Sequence, residues 1–330
     1  MNEAPDSSVA ANNSRDPDLA LPQAVPVSRD STVGVAILAH FRSQTAALLE
    51  AERGIADDRP DAVHSARVAA RRLRSGLRIY GDLFVGDVGS ALRPELAWYA
   101  SRLAPARDLE VFIELLESGR RASITEANDS TISSEDERLV TALVPWLRAQ
   151  HSQAVASAAA DVRSDRAGDL RVQLRAAANT PRYTRVASRR ASKVLAPRVL
   201  AADRKATRAL EKLEPTDASE EWHAVRIAAK RARYAAEVGA PVFGKSCQHL
   251  ARLWASVSEP LGLAQDAVIQ QDLVRQRIGD AAFPLTAAEA FACGVLVASS
   301  REREARAQLL TKGLWREARD EHRQLARGVK

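Results

Sequence analysis

Residues 64–74 read HSARVAARRLR, and residues 223–233 read HAVRIAAKRAR. The shared skeleton is His-x-x-Arg-(Val/Ile)-Ala-Ala-(Arg/Lys)-Arg-x-Arg. His64 aligns with His223, Arg67 with Arg226, Arg71 with Lys230, Arg72 with Arg231 and Arg74 with Arg233. The offset is 159 residues throughout, close to half of a 330-residue chain. A fixed offset of that size points to an internal duplication.

On a helix, each residue advances about 100°. With His64 at zero, Arg67, Arg71, Arg74 and Arg78 fall within an arc of roughly 80°. Arg72 lies off that stripe. Ala69, Ala70, Leu73, Leu77 and Tyr80 occupy the other side, where a core-facing surface belongs. In the second copy His223, Arg226, Lys230 and Arg233 repeat the arc, and Glu237 stands where the first copy has Arg78. Each copy is a basic ridge backed by an apolar face.

Exposed helix faces ordinarily alternate charges at i and i+4. These do not: residues 64–78 hold five arginines and no acid, and residues 223–236 hold three arginines, one lysine and no acid. Their nine charges exceed the +6 of the whole chain. Like charges one turn apart, such as Arg67–Arg71 and Arg74–Arg78, cost a few tenths of a kcal/mol per pair. A cost repeated in both copies implies an anionic partner.

Composition sets the fold class. Hydrophobic residues make up 46% and charged residues 27%, which suits a globular chain, while aromatics are only 5%. Ala, Leu, Arg and Glu dominate and period-two alternation is nearly absent, so the expectation is all-α. Cys247 and Cys293 form no CxxC pair and are too few for a disulfide framework, which suits a reducing cytoplasm. The opening MNEAPDSS lacks a basic and an apolar region of the signal-peptide kind. The longest apolar stretch, 281–300, is broken by Pro284 and Glu289. Its Thr286-Ala-Ala-Glu289 reads as the capping box of a buried helix.

Residues 1–30 are rich in Pro, Ser, Asn and Asp without periodicity and read as a disordered tail. The helical region then divides into halves, 31–180 and 181–330. The first opens with a helix at about 32–54, closed by Gly54. DDRPD at 57–61 offers Asp58 as a cap and Pro60 as a first-turn residue for the first ridge, which should stop near Gly81 or Gly86. Pro105 should break the helical region 90–118, residues 119–137 read as a loop, and helices follow at about 136–163 and 167–178.

In the second half Pro197 should interrupt a basic segment at 184–213. Asp217 or Ser219 then caps the second ridge, PVFG at 241–244 stops it, and a helix follows at about 245–258. LGLAQD at 261–266 echoes LAPARD at 103–108, which extends the repeat past the ridge. Two helices, at about 286–311 and 313–327, close the chain.

Arginine offers a planar fork for phosphate oxygens and stays charged at physiological pH. A row of forks one turn apart suits a ligand of repeated negative charge. If the halves pack about a pseudo-twofold axis, the two ridges face one another across a groove. The candidate anion ligands are therefore His64, Arg67, Arg71, Arg74, Arg78, His223, Arg226, Lys230 and Arg233. Arg72, Arg231, Arg204, Lys205 and Arg208 are possible additional contacts.

The repeated H-x-x-R-x-x-x-[RK]-R-x-R, followed in each half by an Arg-Asp (107–108) or Gln-Asp (265–266) dipeptide, resembles the CHAD family (conserved histidine α-helical domain) from about residue 32 to 330. The resemblance implies two helical bundles related by internal symmetry, a central basic channel that binds inorganic polyphosphate, and association with polyphosphate granules. Many relatives carry an N-terminal triphosphate-tunnel hydrolase domain. This chain has no room for one and resembles the stand-alone form. Glu237 and Gln265 are its departures from the pattern.

One histidine per motif, with no His, Cys or carboxylate at i±3 or i±4 within it, argues against a metal site, so no cofactor is expected. His64 and His223 are expected to donate to phosphate. His40, His151, His249 and His322 lie outside the motif, and Asp108 and Asp266 read as partners that fix an arginine or a helix end. Three functions remain: a non-catalytic polyphosphate-binding module, a nucleic-acid binder, and an enzyme acting on polyphosphate or nucleotides. Nucleic acid fits a basic groove but finds few aromatics for stacking and no recognisable binding motif. Phosphoryl transfer needs acids for Mg²⁺ or a covalent nucleophile, and the ridges hold neither. The sequence favours binding, with no membrane partner.

Overall fold

The computed structural model describes residues 26–126, 134–281 and 284–329. The tail expected at 1–30 therefore lies outside the described residues up to residue 25, as does 127–133 of the expected polar loop. Among the described residues every regular element is helical: α1 (Val33–Ala56), α2 (Ala62–Tyr80), α3 (Val88–Arg102), α4 (Ala104–Glu126), α5 (Ser134–Arg163), α6 (Asp165–Asn179), α7 (Ala191–Lys212), α8 (Ser219–Phe243), α9 (Lys245–Ile278) and α10 (Ala287–Gly328). Two isolated bridges, Thr32 with Arg190 and Phe84 with Tyr183, tie the loops together. No helix among the described residues is long and apolar enough to cross a membrane.

The two ridges are α2 and α8. On α2 the apolar face is buried as its spacing predicts, through Ala66, Ala69, Ala70, Leu73, Leu77 and Tyr80. Each fully buried leucine contributes about 1.5–3 kcal/mol. α8 is buried over a wider arc, by Trp222, Val225, Ala228, Ala229, Ala232, Tyr234, Ala235, Ala236 and Val238. The helices pack on each other, and the Tyr80 hydroxyl donates to the Ala235 carbonyl (3.4 Å). That contact fixes the ridges side by side.

Three apolar clusters form the core. The first gathers α1, α2, α3, α6 and the end of α5, with the first turns of α7 and the last of α8. The second gathers α7, α8, the first half of α9 and Trp315 of α10. A third, from Leu109, Phe112, Leu143, Leu147, Val274, Cys293 and Leu296, joins α4 and α5 to the far end of α9 and the start of α10. α9 and α10 have 34 and 42 residues, about 51 and 63 Å at the helical rise. Their length lets them run through the second and third clusters both.

Several helix ends differ from the sequence reading. Pro105 falls in the first turn of α4, after a one-residue break at Leu103, as expected of proline there. Pro197 and Pro260 do not end their helices, whereas PVFG stops α8 where expected, at Phe243 with Gly244 as its C-cap. An interior proline costs about 3 kcal/mol, and flanking burial (Val194, Leu195 and Val199 in α7; Val257, Leu261 and Ala264 in α9) offsets it. The two closing helices are one, α10, started by the Thr286–Glu289 capping box.

α4 reaches Glu126, further than the expected loop boundary. Gly54 does not close α1. It lies where a Cβ would come within 2.9 Å of the Ala62 Cβ, so it permits the close approach of α1 and α2. The caps expected at Asp58, Asp217 and Ser219 are absent. Asp58 and Asp61 both adopt positive φ (51° and 57°), a region aspartate tolerates, and α2 starts only at Ala62. Asp217 instead accepts from the Glu214 amide (2.8 Å), and Ser219 is the first residue of α8.

His322 belongs to the core. Its Nε2 and the Trp254 indole nitrogen both donate to Asp203 Oδ1, each at 2.8 Å, and Trp315 stacks on Trp254. His40 is packed against Gly76, where burial and then the Arg72 charge lower its pKa to about 4.

Candidate anion-binding site

A cleft of about 800 Å³ opens between α2, α3 and α8. Arg67, Arg71, Arg74 and Arg78 line it from α2, and His223, Arg226, Lys230 and Arg231 from α8. α3 forms the back wall with small residues (Ala97, Ala100 and Ser101), and adds Arg93, with Ala104 of α4 beside them. No carboxylate lines the cleft. Seven arginines and one lysine thus share a single concavity.

The structure brings most of the sequence candidates together and separates the rest. Arg233 does not line the cleft: it donates to Glu237 (2.8 Å), which also pairs with Arg72 across the helix contact (3.3 Å). The acid that replaces an Arg78 counterpart therefore ties α8 to α2. His64 also lies outside the lining, exposed near Arg107, and its pKa is lowered by partial burial and then by that guanidinium. His223 does line the cleft, with Nδ1 hydrogen-bonded to Gln265.

Lys205 borders a second recess of about 470 Å³, with Lys212, Asp217 and Glu221, and Arg231 is common to both. Arg204 and Arg208 border neither. Arg93 escaped the sequence reading because it lies outside the repeat. Its signal was the stripe Ser90, Arg93, Ala97, Ser101, Ala104, spaced like one face of a helix.

Electrostatics divide the cationic groups. Arg67 donates to Asp108 (2.8 Å) and to the Ala104 carbonyl (3.3 Å), the fixing role read for Asp108. Arg226 makes no such bond, and its Nε is buried without a partner. Burial, then the Arg71 charge, lowers its pKa. Burial also lowers the Lys230 pKa to about 6, helped by Arg226 and Arg71 and opposed by Asp266. Asp266 is itself raised by burial. Concentrated positive charge, partly desolvated and short of internal counter-ions, needs an external anion. Among the described residues no group of three or more His, Cys, Asp or Glu side chains is placed to hold a metal ion.

A family model described as the CHAD domain matches residues 39–275. The chain belongs to the CHAD family. Two solved structures share its fold. PptA from Streptomyces chartreusis aligns with a TM-score of 0.70 at 22% identity, over 87% of this chain and 100% of its own. The CHAD domain from the plant Ricinus communis aligns with a TM-score of 0.69 at 24% identity, over 88% and 94% respectively. No curated protein matches the sequence. Both ridges, and the cleft between them, fall inside the matched region.

Proposed function

We propose that this CHAD chain binds inorganic polyphosphate in the cleft between α2 and α8 without processing it. The observation that carries the reading is the lining: seven arginines and Lys230 around about 800 Å³ with no carboxylate among them. A single phosphate needs far fewer donors, and a chain of phosphates uses them all. The same lining offers neither acids to hold Mg²⁺ nor a nucleophile set against a base, which supports binding rather than phosphoryl transfer. Recruitment to polyphosphate granules follows from this reading, because a granule presents many chains at once.

Titration with long-chain polyphosphate, in competition with duplex DNA of equal charge, tests it. Polyphosphate should bind with an affinity that falls steeply as salt rises, as for other phosphate backbones. Duplex DNA should compete poorly. Arg71→Glu should weaken binding at least tenfold while helix content stays unchanged by circular dichroism. Equal competition by the duplex would favour a nucleic-acid ligand. Release of orthophosphate by the purified protein with Mg²⁺ would show catalysis.

A further inference from the structure

Charge is balanced unevenly along the cleft. At one end Arg67 is held by Asp108, and Asp266 acts on Arg226 and Lys230. The other end brings together Arg74 and Arg78 of α2, Arg93 of α3 and Arg231 of α8. None of these four makes a hydrogen bond or ion pair with another residue among those described, and no acid lies in the lining beside them. They act on one another instead: after burial, the Arg71, Arg78 and Arg93 charges lower the Arg74 pKa, and Arg78, Arg74 and Arg93 lower that of Arg231. Four guanidiniums from three helices converge without internal compensation.

A linear polyphosphate carries two kinds of phosphate. An interior unit has two free oxygens and one charge. A terminal unit has three free oxygens and a second ionisation which, like that of a phosphomonoester, has a pKa of about 6. The terminal unit is therefore close to doubly charged at pH 7.5 and has more acceptors for guanidinium forks. We propose that Arg74, Arg78, Arg93 and Arg231 form a subsite for the terminal phosphate. Either of the chain's two equivalent ends can take this place, and its interior units then run towards Arg71, Lys230 and Arg226. This assignment rests on the polyphosphate reading above.

A ligand with no ends separates the two ideas. Linear hexaphosphate and cyclic hexametaphosphate have equal numbers of phosphates, and only the linear form has terminal groups. Each is competed against labelled long-chain polyphosphate at pH 7.5 and 0.15 M salt. The linear form should compete at least tenfold better. Arg93→Gln with Arg231→Gln should bring that ratio to within about twofold of one. Arg71→Gln with Lys230→Gln should lower both affinities and leave the ratio standing, which controls for the greater charge of the linear ligand.

Equal competition by the two ligands in the wild type, or a ratio that both double variants reduce alike, overturns the subsite and leaves polyphosphate binding intact. If long-chain polyphosphate itself fails to bind the wild-type protein, the parent reading falls and the subsite falls with it.

Discussion

The stretches 64–74 and 223–233 share nearly the same motif, and the helices around them treat it differently. Around the first, α3 and α4 are separate helices, and Asp108, one turn into α4, engages Arg67 at 2.8 Å. Around the second, the corresponding stretch continues through Pro260 as α9, and Asp266 makes no ion pair with Arg226. α2 exposes Arg74 and Arg78 on its ridge, whereas α8 is wrapped by its neighbours, so Arg226 and Lys230 are half-buried. One sequence pattern thus yields an exposed ridge with one ion-paired member and a desolvated ridge on which Asp266 acts without an ion pair. The same residue types carry different free energies because their surroundings differ, and the desolvated set gains more from an incoming anion.

The cores differ in the same way. Asp203, buried in the second core cluster, has an Oδ1 that accepts from both Trp254 and His322. Glu52 in the first half has a buried Oε1 with no hydrogen bond, Arg171 at 3.5 Å, and a pKa raised by burial. The largest expected effect follows from this contrast. Leaving a buried polar group unsatisfied costs about 1–3 kcal/mol, so Asp203→Ala, which strands both the Trp254 N–H and His322, should lower the unfolding free energy by about 2–6 kcal/mol in urea titration. Glu52→Gln should stay within about 1 kcal/mol of wild type at pH 7, since it removes a charge that burial already disfavours. Equal losses would erase the difference.

The ridges offer a second, smaller test. A hydrogen bond to a charged group contributes about 1.5–3 kcal/mol, and Arg226 has that capacity free where Arg67 has spent part of it on Asp108. Arg226→Gln should weaken polyphosphate binding roughly tenfold or more, and Arg67→Gln by only about threefold. The reverse order would mean that the Arg67–Asp108 pair opens to the ligand.

Lys230 provides the third. With its pKa lowered to about 6, its amine is neutral in the free protein at pH 7.5. A bound polyanion favours the charged form, so binding takes up a proton, and affinity falls as pH rises from about 6 towards 8, by at most tenfold per unit. Below about pH 6 the free amine is already charged and the dependence ends. Calorimetry in buffers of different ionisation enthalpy, with long chains that have few ends, measures the uptake. Lys230→Arg gives α8 the residue that α2 has in Arg71, and should flatten the profile. A wild-type profile that is already flat would place Lys230 outside the binding event.

Much of the site was legible in the primary structure. The arc of Arg67, Arg71, Arg74 and Arg78, the apolar face behind it, and the second copy at 223–233 follow from helical periodicity alone, because side-chain direction along a helix is a local property. The all-α class followed from composition for a similar reason. The tertiary structure decided what depends on contacts between distant segments. It joined the expected closing helices into α10, carried Pro197 and Pro260 inside helices whose burial offsets their cost, and put Arg93 of α3 into the cleft. It also withdrew Arg233 and Arg72 to Glu237 and set Lys230 apart from Arg71. Charge and spacing are written residue by residue, but desolvation and counter-ion pairing exist only once the helices have packed.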